Sequence, residues 1–125
     1  MTEKEIKITD AELKIMEYVW KRASVDSKEI IRAFEKEEEW SPNTIRTLLV
    51  RLEQKGVVDH SKSGRVYVYH ALIPREYFVK QESQKFIHKF FDGKVSDFVS
   101  NFVEDESIDE KEIDELRELL NKRRR

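Results

Sequence analysis

The stretch that most restricts the fold is residues 41–56, because it carries start, face and stop signals for a single helix. Ser41 can cap the first turn, and Pro42 stands at the first helical position, where a missing N–H costs no hydrogen bond. Trp40 before the cap and Ile45 after it have the spacing of a hydrophobic staple. Ile45, Leu48, Leu49 and Leu52 then recur at i, i+3, i+4 and i+7, so they share one face that must be buried. Gly56, after Lys55, supplies the stop.

The flanking sequence supplies the cover for that face. Thr9-Asp10-Ala11-Glu12 reads as a capping box, and Leu13, Ile15, Met16, Val19 and Trp20 continue at helical spacing to about Lys21. Asp26-Ser27-Lys28-Glu29 reads as a second capping box. Ile30, Ile31 and Phe34 are the stripe of its short helix, which gives out in the acidic run Lys36–Glu39. A short strand fits near Ser24-Val25. Beyond Gly56, Val57–Lys62 and Val66–Leu72 are rich in β-branched and aromatic residues, and Ser63-Gly64 between them predicts a hairpin. Ile73-Pro74 closes the unit. The fold class is therefore mainly α with a small β-hairpin, arranged over residues 1–73 as a winged helix-turn-helix domain.

Residues 74–125 have a different character. They hold six of the seven phenylalanines, Phe78, Phe86, Phe90, Phe91, Phe98 and Phe102, in a helical segment broken once at Gly93. Asp109 and Glu112 cap a last helix, Ile108 and Ile113 staple it, and Ile113, Leu116, Leu119 and Leu120 form its stripe. Glu104–Asp109 reads as an acidic, exposed connection, and Lys122–Arg125 as a basic end that complements a helix C-terminus. A tail of this length cannot bury six phenylalanines within itself. A second copy would cover them, which makes 74–125 a helical dimerisation domain built on those rings with Ile113, Leu116 and Leu120; folding back onto the first unit is the alternative.

Function is concentrated on the outward face of the 41–56 helix, opposite its leucines. That face carries Asn43, Thr44, Arg46, Thr47, Val50, Arg51 and Gln54. Arginine can pair with guanine, asparagine with adenine, and a threonine methyl can touch that of thymine. Recognition helices read bases with their N-terminal turns, where Asn43, Thr44, Arg46 and Thr47 lie. Lys62 and Arg65 flank the hairpin turn and give the wing a basic tip. The overall charge is −2, yet residues 41–70 set Arg46, Arg51, Lys55, Lys62 and Arg65 against Glu53 and Asp59, and both flanks are net acidic. A local positive face is what phosphate binding requires. A solvated helix face with a charge-protected strand edge, serving protein contacts alone, fits the same residues.

Other chemistry is not indicated. There is no cysteine, so disulfides and thiolate metal sites are excluded. His60, His70 and His88 are isolated in the sequence, and no nucleophile–base pair or phosphate-cradling glycine loop is visible, so no catalytic residue, metal or cofactor is expected. Met1 to Thr9 is charged and lacks the apolar core of a signal peptide, and no run reaches the length of a membrane span; a cytoplasmic protein without membrane insertion is expected.

The run Trp40-Ser41-Pro42-Asn43-Thr44-Ile45-Arg46-Thr47-Leu48-Leu49, with Arg51-Leu52 and Lys55-Gly56, resembles the penicillinase and methicillin-resistance repressor family. The likeness starts at Ile8-Thr9-Asp10-Ala11-Glu12 and Trp20, and passes through Gly64-Arg65-Val66-Tyr67-Val68-Tyr69. It continues through Ser100-Asn101-Phe102-Val103-Glu104 and ends in Glu115-Leu116-Arg117-Glu118-Leu119-Leu120-Asn121-Lys122. The resemblance implies a homodimeric repressor that binds a palindromic operator in double-stranded DNA ahead of β-lactam-resistance genes. It also implies release by proteolysis through a membrane sensor-transducer metalloprotease pathway. The family's cut falls at an asparagine–phenylalanine bond, which Asn101-Phe102 matches. Asn43 departs from the family, which usually carries lysine there. A copper-responsive branch of the family uses cysteine pairs, which this chain lacks. Release by a small-molecule effector, with control of other genes, is the alternative mode of regulation.

Overall fold

The computed structural model describes residues 5–104 and 108–123. The first four residues of the charged start, the centre of the Glu104–Asp109 connection and Arg124-Arg125 of the basic end lie outside the described residues. The chain forms two compact units that divide between Val79 and Lys80.

The first unit contains α1 (Asp10–Trp20), β1 (Val25–Asp26), α2 (Ser27–Glu37), α3 (Pro42–Gln54), β2 (Val58–Ser63) and β3 (Val66–Ala71), and α4 (Arg75–Phe91) begins in it. The expected capping box of α1 is complete: the Glu12 amide donates to Thr9 Oγ1 at 3.2 Å, and the Thr9 amide to Glu12 Oε1 at 2.9 Å. The α2 box is half realised. Asp26 accepts from the Glu29 amide at 2.8 Å, but the Glu29 carboxylate accepts instead from Tyr18 Oη at 2.7 Å and Arg22 Nε at 3.0 Å. Both donors sit on or beside α1, so the side chain ties two helices rather than closing its own turn.

Ser41 caps α3 by accepting from the Thr44 amide at 3.2 Å. Trp40 stacks on Phe34 with ring centroids 5.4 Å apart and packs on the core from there. All four stripe residues of α3 are buried, Ile45 and Leu52 completely, together with Ile15, Met16, Val19, Ile30 and Val58. Burial of side chains of this size stabilises by about 1.5–3 kcal/mol each. The end of α3 is a Schellman motif: Gly56 has φ +78°, its amide donates to the Glu53 carbonyl at 3.0 Å, and the Val57 amide donates to the Leu52 carbonyl at 3.2 Å. Val57 and Leu52 are both fully buried, which supplies the apolar contact that goes with this closure.

The sheet is antiparallel in the order β1-β3-β2. Val25 pairs with Tyr69, so the short strand near Ser24-Val25 forms. The wing turn falls one residue later than the sequence suggests. Ser63 pairs with Val66, and the two-residue loop is Gly64-Arg65, with a positive φ of 64° at Gly64. Glycine at the first loop position is what a type II′ hairpin requires. The turn between α2 and α3 places Glu39 at φ 58°, a conformation that strains a residue with a Cβ. Glu39→Gly is expected to raise stability by about 0.5–1 kcal/mol, the relieved strain exceeding the added chain entropy; an unchanged urea midpoint would refute the strain.

The second unit holds the remaining turns of α4, then α5 (Val95–Glu104) and α6 (Glu110–Arg123). Asp92 (φ 49°) and Gly93 (φ 83°) make the break after α4, at the position the glycine suggested. Its rings meet one another: Phe86 lies 5.0 Å from Phe90 and 5.6 Å from Phe98, and Phe98 lies 5.3 Å from Phe102. Neither α5 nor α6 contributes a buried residue. Phe90, Leu119 and Leu120 are about 60% exposed. No helix among the described residues is long and apolar enough to cross a membrane.

Candidate nucleic-acid interface

Because the stripe of α3 is locked inward, its opposite side is forced out. Asn43, Thr44, Arg46, Thr47, Val50, Arg51 and Gln54 are all exposed, as their spacing predicts. The first turns are ordered locally. Arg46 Nη1 donates to Asn43 Oδ1 at 3.3 Å, Thr47 Oγ1 to the Asn43 carbonyl at 2.9 Å, and the Ser41 and Thr44 hydroxyls are 3.0 Å apart. Asn43, which stands where the family usually carries lysine, thus holds an arginine instead of presenting a charge.

Lys62 and Arg65 are exposed on the wing. Lys55, counted with the basic residues on sequence grounds, is committed elsewhere. Its Nζ donates to Glu12 Oε1 at 2.5 Å, and Glu12 is fully buried. Burial pushes the Glu12 carboxyl up, but the bond and charge of Lys55 and the Thr9 amide and hydroxyl outweigh it and hold the carboxyl below its ordinary value. Lys55 therefore fastens the C-terminus of α3 to the start of α1, and the outward positive charge of this unit's middle rests on Arg46, Arg51, Lys62 and Arg65.

The junction of α3 and the wing holds a group that sequence separation hid. Glu53 Oε1 pairs with His60 Nδ1, and Asp59 Oδ1 accepts from the His60 amide at 2.8 Å. Tyr67 and Tyr69 flank the imidazole, with centroids 4.7 and 5.4 Å away. Burial, with the Glu53 charge nearby, pushes the Tyr69 phenol above its ordinary value. His60 looked isolated because its partner Glu53 lies on another element; the α3 Schellman turn brings them together.

Two other expectations are changed by the packing. Phe78, assigned to self-association, is buried in the first unit 6.0 Å from Trp20. Trp20 Nε1 donates to the Ile73 carbonyl at 2.9 Å, and Arg75 forks onto Glu17 at 2.7 and 3.2 Å. The start of α4 therefore belongs with the first unit, and the expected division after residue 73 moves to Val79. The other expected association residues lie in the second unit: Phe86, Phe90 and Phe102 exposed, Phe91, Phe98, Ile113 and Leu116 partly covered, and Leu120 exposed. Asn101 and Phe102 are both exposed, in the last turns of α5.

The Penicillinase repressor family model matches residues 8–122. The penicillinase repressor of Bacillus licheniformis is 39% identical over 113 residues, covering 90% of this chain and 88% of the relative. The methicillin resistance regulatory protein MecI of Staphylococcus aureus is 36% identical over 123 residues, covering 98% of this chain and all of the relative. Among solved structures, the monomeric form of Bacillus licheniformis BlaI in complex with the blaP half-operator is 44% identical with a TM-score of 0.52, covering 59% of this chain and 92% of that one. These matches, over a winged helix with an exposed polar reading face, make the chain a member of the penicillinase repressor family, whose proteins are DNA-binding transcriptional repressors and not enzymes.

Proposed function

We propose that the chain is a homodimeric transcriptional repressor that grips a palindromic operator ahead of β-lactam-resistance genes. The observation that carries this reading is the outward face of α3, exposed along its whole length, polar except at Val50, and backed by four buried residues. Asn43, Thr44, Arg46, Thr47 and Arg51 enter the major groove, and Lys62 and Arg65 reach the neighbouring backbone. The half-operator complex of the BlaI relative, which matches 59% of this chain, supports the same use of this unit.

The protein works in the cytoplasm, and its release follows proteolysis through a membrane sensor-transducer metalloprotease pathway. The cut falls at Asn101-Phe102. That bond lies within α5, so the helix must open locally before a protease can seat it. Cleavage separates α6 from the rest and removes its contribution to pairing. Two linked half-sites bind far more tightly than one, so loss of pairing releases the operator.

Operator titration at several salt concentrations tests the contact surface. Arg46→Ala is expected to lose about 1–3 kcal/mol of discrimination between operator and scrambled duplex, while Lys62→Ala weakens both equally and lowers the salt slope by about one. Equal, negligible affinity of the parent chain for both duplexes would overturn the reading.

A further inference from the structure

We propose that Glu53, Asp59 and His60 form a divalent-cation site, of the zinc class, at the joint between α3 and the wing. One ligand atom from each of the three lies within 4.8 Å of the other two. Two ligands on one zinc ion, each at about 2.0–2.2 Å, stand about 3–4 Å apart, so small rotamer changes close the set. An imidazole with two carboxylates is a donor set that suits zinc and its neighbours, with water completing the shell.

The ligands are held in place before any ion arrives. Glu53 comes from the last turn of α3, fixed by the buried Leu52–Val57 closure. The His60 ring is flanked by two tyrosines, and Asp59 is pinned by the His60 amide. Glu53 and His60 are each about one-third exposed or less, which leaves a path for entry. Among the described residues, no lysine or arginine lies within ion-pair distance of either carboxylate. Two carboxylates without a lysine or arginine partner therefore sit beside the basic wing, where they oppose a phosphate backbone, with the His60 imidazole as the ring that Glu53 meets. A bound cation offsets that charge and clips the helix to β2. This last effect rests on the DNA-binding reading above; the site itself does not.

Calorimetric titration of the full-length chain with zinc sulfate, without DNA, is the test. One zinc per chain at micromolar affinity is expected, weakened at least tenfold by Glu53→Gln and by His60→Asn and unaffected by His70→Asn. Glu53→Gln is a near-isosteric change at a partly exposed position, and circular dichroism checks that it folds. No zinc binding up to millimolar concentration, or equal binding by the parent and both ligand variants, overturns the site. A zinc-dependent gain in operator affinity in the parent, missing from Glu53→Gln, is the second expected result; its absence overturns the coupling to DNA.

Discussion

Replacing Lys55 by alanine should cost the first unit about 3 kcal/mol of stability. Breaking a buried ion pair by removing one partner costs about 3–5 kcal/mol, since the remaining charge stays in the interior unpaired. The lower end applies here because the Lys55 side chain is 31% exposed, whereas that of Glu12 is 1% exposed. Glu12 Oε2 is already buried without a hydrogen-bond partner, so its carboxylate has little in reserve once Lys55 is gone. Both tryptophans, Trp20 and Trp40, belong to this unit, so urea denaturation followed by tryptophan fluorescence reads it selectively. The double replacement Glu12→Leu with Lys55→Met should be far milder than Lys55→Ala alone. A loss under 1 kcal/mol for Lys55→Ala would show that the pair does not fasten α3.

The same pair fixes the sign of the acid response. The Glu12 carboxyl is held below its ordinary value in the folded chain. Its contribution is fully present above the unfolded carboxylate value, about 4.3, and is lost as pH falls through the lower folded value. In Lys55→Ala the burial is opposed by Thr9 alone, so the carboxyl stands higher than in the parent, and that variant should gain stability relative to the parent as the pH falls from neutrality.

A double charge insertion, Phe90→Glu with Leu120→Glu, should lower affinity for the full operator roughly a hundred- to ten-thousand-fold while leaving half-operator affinity unchanged. Both side chains are more than half exposed in the single chain, so the substitutions remove little that the chain itself packs. They place charge among the exposed apolar side chains of the second unit, which also include Phe86, Phe102 and Leu119. Exposed apolar side chains in this number on a small unit mark a binding face. Sedimentation should find the parent dimeric and the variant monomeric. A dimeric variant with full operator affinity would place the pairing surface elsewhere.

Local chemistry was readable from the sequence wherever a residue's partner lies within one helical turn. The Thr9–Glu12 box, the Ser41 cap, the α3 stripe and the Gly56 stop all formed where the spacing put them. The reading face was legible for the same reason: burying Ile45, Leu48, Leu49 and Leu52 leaves one direction for Arg46 and Thr47. Prediction failed where a side chain had a better partner far away in sequence. Glu29 bonds to Tyr18 and Arg22 instead of its own turn. Phe78 looked like one of six similar rings until Trp20 gave it a place in the first unit. Lys55 counted toward the net positive charge of residues 41–70 because nothing local announces a partner 43 positions away.

The Leu52–Val57 closure carries a consequence for how operator preference can change over time. Gly56 is the one residue between the last cap position of α3 and the buried Val57, and the closure is anchored in the core by Leu52 on one side and Val57 on the other. No slack is left for sliding the wing along the helix or for inserting a residue at the joint. On the proposed contact surface, lineages of such regulators therefore acquire new DNA targets by exchanging side chains at positions such as 43, 46 and 47. The distance between the helix and its wing is inherited unchanged.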